Sequence, residues 1–175
     1  EAIRVLVAEG LVTPLPRRGA IVATPMPEEI QGVFYALGAL ESVCAPLACE
    51  NLTAADIEAL ERQHTTMLAH YKRGQMKSYY RANQAIHQGI VRAARNPFLA
   101  DLHGSLSLRI LRARYFIAMP TSSWSRALRE HDEMLTLVRA RDGRRLAELM
   151  LRHMLGSWRD FELVLGRSRL ARAGT

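Results

Sequence analysis

Asn83 and His87 are four residues apart in Tyr79-Tyr80-Arg81-Ala82-Asn83-Gln84-Ala85-Ile86-His87, so a helix through this stretch sets an amide oxygen and an imidazole on one face. That face continues through Tyr80, Ile90, Val91 and Ala94, which makes it the side expected to be buried. Two further helical stretches bring one inward histidine each. His131 aligns with Trp124, Leu128, Leu135 and Val138; His153 aligns with Leu146, Leu149 and Met150, then with the small Gly156 and Ser157. Three imidazoles and one amide oxygen meeting inside a helical bundle would make a site of borderline hardness, suited to Zn, Ni, Mn or Fe(II), with coordination positions left for water or a ligand oxygen. Asn83 contributes a dipole and no charge, so the expected metal affinity is modest. Glu130 points about 100° away from His131 on a helix, which makes it a poor base for a metal-bound water.

The elements that must position these residues read from the N-terminus as follows. Glu1 to Gly10 resembles the last turns of an amphipathic helix with a glycine stop, and opening on Glu1 inside a helix suggests a piece of a longer protein. Leu11-Val12-Thr13-Pro14-Leu15 and Ala20-Ile21-Val22-Ala23 read as short strands joined by Pro16-Arg17-Arg18-Gly19, a turn with two cations. Thr24-Pro25-Met26-Pro27 is the expected linker. After it come helices from Pro27 to about Glu50, with Pro46 expected to kink it near Ser42 to Cys44, and from a cap at Asn51 to Asp56 on to Gly74. The Asn83/His87 helix stops at Asn96-Pro97, the next runs to about Ala118, another is capped by Ser122 or Ser123, and the last runs from Arg144 to Leu165 before a basic tail.

On the Pro97 helix the apolar face is read as Leu99, Leu102, Leu106, Ala113 and Phe116, with Arg109 in the same stripe. A guanidinium there must meet a protein carboxylate or wait for the carboxylate or phosphate of a ligand. Arg112 and Arg114 fall on other faces and are expected in solvent. His64 and His70 have polar neighbours and read as surface residues.

The 175 residues, 49% hydrophobic, suffice for one well-buried domain with a small appendage. A formal charge of +7 suits a nucleic-acid partner. Cys44 and Cys49 fit neither a disulfide framework nor a zinc ribbon and read as buried reduced thiols, which favours a reducing, cytoplasmic compartment. No uninterrupted run of 18 apolar residues occurs, so no membrane partner is expected. H-E-x-x-H, G-x-S-x-G, P-loop and G-x-G-x-x-G motifs are missing.

Together these residues resemble a GntR-superfamily transcription regulator of the FadR type with its FCD ligand domain. The resemblance rests on the first twelve residues as the end of a recognition helix, Arg17-Arg18-Gly19 to Ala23 as a wing, Leu40-Glu41, Asn83-x-x-Ile86-His87, Asn96-Pro97, Glu130-His131 and His153. It departs from the family in carrying Asn83 where an Asp is commonest, and Leu37-Gly38 where an Arg is usual. The resemblance implies a mainly α fold, an antiparallel FCD-like bundle of six to seven helices behind a remnant winged helix-turn-helix. It places the DNA-binding part in residues 1–24, the linker in 25–27, the ligand and dimerisation domain in 28–166 and a tail in 167–175. It implies a metal on Asn83, His87, His131 and His153, a small carboxylate effector between that metal and Arg109, operator DNA at Arg17, Arg18 and Gly19, and a homodimer without catalytic activity. Two rival readings remain: a helical metalloenzyme using the three histidines, and a metal-free regulator whose histidines are hydrogen-bonded core.

Overall fold

The computed structural model of the protein describes residues 2–8, 12–16, 18–23, 26–115 and 121–173, without the side chains of 8, 115, 121, 122 and 167–173. Among these residues the chain forms α1 (Ala2–Ala8), β1 (Val12–Leu15), β2 (Gly19–Val22), α2 (Pro27–Asn51), α3 (Ala54–Lys72), α4 (Met76–Ala93), α5 (Pro97–Tyr115), α6 (Thr121–Ala140) and α7 (Gly143–Ala173). The strands pair antiparallel, Val12 with Val22 through Leu15 with Gly19. Gly19 takes φ +85°, a left-handed conformation that a side chain would resist.

Local chemistry sets the helix ends. Pro27 opens α2 with Glu28 and Glu29 in its first turn, where carboxylates meet the positive end of the helix dipole. Thr53 and Asp56 close a reciprocal capping box on α3. Asn96 accepts a hydrogen bond from the Leu99 amide at the start of α5, and Asp142 accepts one from the Arg145 amide at the start of α7. The chain turns between α6 and α7 on Arg141, at φ 54°, and the Arg141 guanidinium donates to the carbonyls of Cys49 and Leu52 at 2.6 Å each. It thereby satisfies carbonyls that the end of α2 leaves without helical partners. The last helix continues to Ala173, beyond the Leu165 end expected from periodicity.

The bundle is organised on α2, which packs most extensively against α7 and also against α4 and α5. Two apolar clusters fill it. One joins the second half of α2, including Cys44 and Ala48, to Tyr79, Ile86, Ile90, Met134, Val138 and Leu149. The other joins Ile30, Phe34 and Leu37 to Ile110, Met154, Trp158 and Phe161. Each large side chain fully buried here contributes about 1.5–3 kcal/mol. By length and a mean hydropathy of 1.5, α2 could cross a membrane, but 56% of that stretch is buried inside the bundle. It also carries the buried Glu41 toward α4 and α5, as a core helix would. Cys44 and Cys49 are buried free thiols, and burial together with the Glu41 charge pushes Cys44 up to about 11.

Candidate metal centre and adjoining cavities

The three helix faces picked out by the histidines all lie inward. His87 on α4, His131 on α6 and His153 on α7 are 4%, 0% and 1% exposed, and their candidate ligand atoms lie within 4.8 Å of one another. They sit where the two apolar clusters meet, because His153 falls between Met150 of one and Met154 of the other.

Each ring is oriented by an oxygen that carries no proton. His87 Nδ1 donates to Glu41 Oε2 at 2.9 Å, His131 Nδ1 donates to the Ala127 carbonyl at 2.6 Å, and His153 Nδ1 donates to Glu130 Oε2 at 2.5 Å. With Nδ1 protonated, each neutral imidazole turns the lone pair of Nε2 toward the others. His87 Nε2 and His131 Nε2 are 3.2 Å apart. Two lone pairs at that distance repel unless a cation lies between them. Metal–imidazole bonds of about 2.0–2.1 Å put two ligand nitrogens about 2.9 to 3.4 Å apart for angles from square to tetrahedral, so the His87–His131 spacing fits a bound ion, while the three-residue set as a whole spans up to 4.8 Å.

The electrostatics favour neutral ligands. Burial holds His131 well below the ordinary histidine value, and the neighbouring His153 and His87 push it further in the same direction. Burial also lowers His153, partly opposed by its hydrogen bond to Glu130. For Glu41, burial alone would raise the pKa, but its interactions with the His87 and His103 rings, hydrogen bonds included, bring it down to about 2. It is therefore an ionised carboxylate, 1% exposed, held between His87 and His103 Nε2, the latter also at 2.9 Å. Glu130 is lowered against its burial by His153 and Arg126. Arg126 clamps it from one turn away and also holds Asp160 of α7 at 2.8 Å.

Asn83 is 6% exposed and lines, with His87, a cavity of about 30 Å³ that is also bordered by Glu41, Tyr80, Ser107 and Arg114. That is room for about two waters. A second cavity, of about 20 Å³, shares Tyr80, Asn83 and Arg114 with the first. Arg114 stacks on the Tyr80 ring, its guanidinium carbon 4.6 Å from the centroid, and no carboxylate among the described residues forms an ion pair with it.

Arg109 does not line either cavity. It pairs with Glu29 at 2.7 Å with its side chain 37% exposed, so of the two outcomes expected for it the protein carboxylate is the one found. The reason is a helix face read about one position out of register. Leu102 is 52% and Phe98 84% exposed, whereas His103, Ser107, Ile110 and Ala113 are buried, and Arg114 follows Ile110 by one turn. Arg114, expected in solvent, therefore borders the cavity, while Arg112 donates to the Ala23 carbonyl at 2.6 Å. His103 and the orienting carboxylates Glu41 and Glu130 join the site without having been expected there. The i, i+4, i+7 spacing of His103, Ser107 and Ile110 was the available signal. His64 stays outside the cluster, 3.1 Å from Asp132, and His70 bonds Gln75. Of the wing residues, Arg18 and Gly19 are exposed at the hairpin turn, and Arg17 lies outside the described residues.

The described residues thus form a helical bundle that closes three histidines in its centre, preceded by a helix and a β-hairpin. The FCD domain family model matches residues 33–156, and the chain belongs to that family. No curated protein matches the sequence. Among solved structures the chain is similar to E. coli McbR/YncC, with a TM-score of 0.84 at 18% identity over 93% of this chain and 82% of that one. It is also similar to a GntR-family transcriptional regulator from Pseudomonas syringae pv. tomato, with a TM-score of 0.65 at 19% identity over 98% and 71% of the two chains. Streptococcus agalactiae GntR gives 0.66 at 16% identity over 90% and 78%. At these identities the likeness is one of fold.

Proposed function

We propose that the protein is a ligand-responsive transcription regulator of the GntR type whose helical domain holds one divalent metal ion and senses a small carboxylate. The observation that carries this reading is the convergence of three imidazole Nε2 atoms, each with Nδ1 already committed to an oxygen. His87, His131 and His153 would be the ligands, with Asn83 beside His87 as the fourth, and Zn, Ni, Mn and Fe(II) all suit such a set. Bound there, the metal would supply a positive charge and open positions for a carboxylate oxygen. Arg114 takes the role first given to Arg109, holding the carboxylate from the α5 side of the cavity.

The same helix offers a route to DNA. Arg112, two residues before Arg114, ties α5 to Ala23 at the end of the hairpin. An effector that favours one setting of α5 would bias the wing, which is the differential binding that allostery requires. Arg17, Arg18 and Gly19 would approach operator phosphates or the minor groove, with two such wings supplied by a homodimer in the cytoplasm. Residues 1–24 would then belong to the DNA-binding part and 28–166 to the ligand domain. The metalloenzyme reading is less well supported, because both carboxylates at the cluster are engaged, Glu130 by His153 and Arg126 and Glu41 by His87 and His103.

The test is operator binding by the full-length protein, with metal and then a carboxylate added. Affinity should change by about 5-fold or more on adding the carboxylate to the metal-loaded protein, within the usual range of allosteric coupling. Operator affinity indifferent to both metal removal and carboxylates would refute the reading.

A further inference from the structure

Both oxygens of the buried Glu41 carboxylate are taken, each by a ring from a different helix. Oε2 accepts from Nδ1 of His87 on α4 and Oε1 accepts from Nε2 of His103 on α5, both at 2.9 Å. His103 is as deeply buried as Glu41, and Ser107, one turn further along α5, sets its hydroxyl 3.4 Å from His103 Nδ1. In the neutral ring, with Nε2–H committed to the carboxylate, Nδ1 keeps a lone pair to which that hydroxyl can donate. A chain of polar groups thus runs from Ser107 through His103 and Glu41 to His87, one of the three converging imidazoles.

The last torsion of a glutamate is soft, so a carboxylate that meets a single donor can present its oxygens over a range of directions. Two donors from separate helices, one on each oxygen, remove that freedom. The position of Oε2 then sets the orientation of the His87 ring, and with it the direction in which Nε2 points. His103 is not one of the three residues whose ligand atoms converge, so it reaches the centre of the cluster only through Glu41.

We infer that His103 is a positioning residue for the metal centre: it holds Glu41 so that Glu41 aims His87, which makes α5 a fifth helix on which the geometry of the site depends, beside α2, α4, α6 and α7. The inference rests on the metal reading given above. Were His103 present only to satisfy a buried carboxylate, its loss would lower stability and leave metal affinity unchanged.

The experiment measures zinc affinity of the full-length protein by competition against a chelator, together with the visible spectrum of the cobalt(II)-loaded protein, which follows the geometry of the ligand set. His103→Leu should bind zinc about tenfold more weakly, the low end of the range for groups that orient metal ligands, and should shift the cobalt spectrum. His103→Gln, whose amide nitrogen can stand where Nε2 stands, should bring zinc affinity back to within about twofold and restore the spectrum. In a Glu41→Ala background His103→Leu should cause no further loss, because two residues that act through one contact are not additive. Unchanged affinity and spectrum in His103→Leu, equal losses in His103→Leu and His103→Gln, or a loss undiminished in the Glu41→Ala background would overturn the inference. If Glu41→Ala does not fold, the cobalt spectra of the two His103 variants decide in the same way. If His103→Leu does not fold, His103→Asn, whose amide is too short to reach Glu41 Oε1, takes its place. Binding of neither zinc nor cobalt by the unaltered protein would overturn the metal reading as well, whereas zinc binding indifferent to His103 would overturn this inference alone.

Discussion

A neutral imidazole has one proton and one lone pair, so fixing the proton aims the lone pair. Glu41, the Ala127 carbonyl and Glu130 do this for His87, His131 and His153. Outer carboxylates of this kind typically change metal affinity by about 10- to 100-fold when altered. Glu41→Gln should lie in that range, because a glutamine amide can accept from one ring and must present N–H to the other, where both His87 and His103 now donate. Competition against a chelator measures this, and an affinity equal to that of the unaltered protein would show that Glu41 does not orient the site. His131 and His153 were legible in the sequence because each interrupts an otherwise apolar stripe. Glu41 was not legible as a site residue. It lies in a helix whose outward residues, Tyr35, Val43 and Leu47, are themselves apolar and exposed, so periodicity gave no inward face on which to place it.

Helix starts were the most readable elements, since their signals are local: Pro27, the Thr53–Asp56 box and Asn96-Pro97 each act within one turn. Facing was readable where the apolar stripe is clean, as in α4 and α6, and misleading in α5, where Phe98, Leu102 and Leu108 are exposed leucines and aromatics. Packing between elements was not readable at all. Gly143, at the start of α7, lies so close to α2 that a Cβ there would stand 2.5 Å from Pro46 Cα, a backbone atom with no freedom to withdraw. The kink expected near Ser42 to Cys44 did not anticipate this contact; α2 runs as one helix from Pro27 to Asn51 with Pro46 inside it. Gly143→Ala should destabilise the fold by about 1–3 kcal/mol, the usual cost of overpacking. Thermal melting would register a drop of several degrees, and an unchanged melting temperature would mean that α2 and α7 can move apart freely.

At the scale of the whole molecule, burying imidazoles couples stability to pH. In the metal-free protein His131 and His153 have depressed pKa values, so below the ordinary value of 6.5 the unfolded chain takes up protons that the folded one refuses. Their contribution is complete above 6.5 and is lost as pH falls below it. Glu41, at about 2 against 4.5 when unfolded, adds a second loss as pH falls below 4.5. The chelated protein should therefore melt at a lower temperature at mildly acidic than at neutral pH, and a flat profile between the two would contradict the assigned neutral state of the histidines. A metal bound only by the folded state adds about 2.7 kcal/mol at neutral pH at a concentration a hundred times its Kd, and it steepens the acid loss because protons compete for its imidazole ligands.

The central claim is that the three histidines hold a metal, and its most direct test is metal content by mass spectrometry on full-length protein purified without a His-tag or chelator, alongside His131→Ala checked for folding by circular dichroism. The account expects about one divalent ion per chain in the unaltered protein and none in the folded variant, as a site built on three imidazoles requires. Protein that carries no metal, and whose melting temperature does not rise when Zn, Ni or Mn is added, would contradict it.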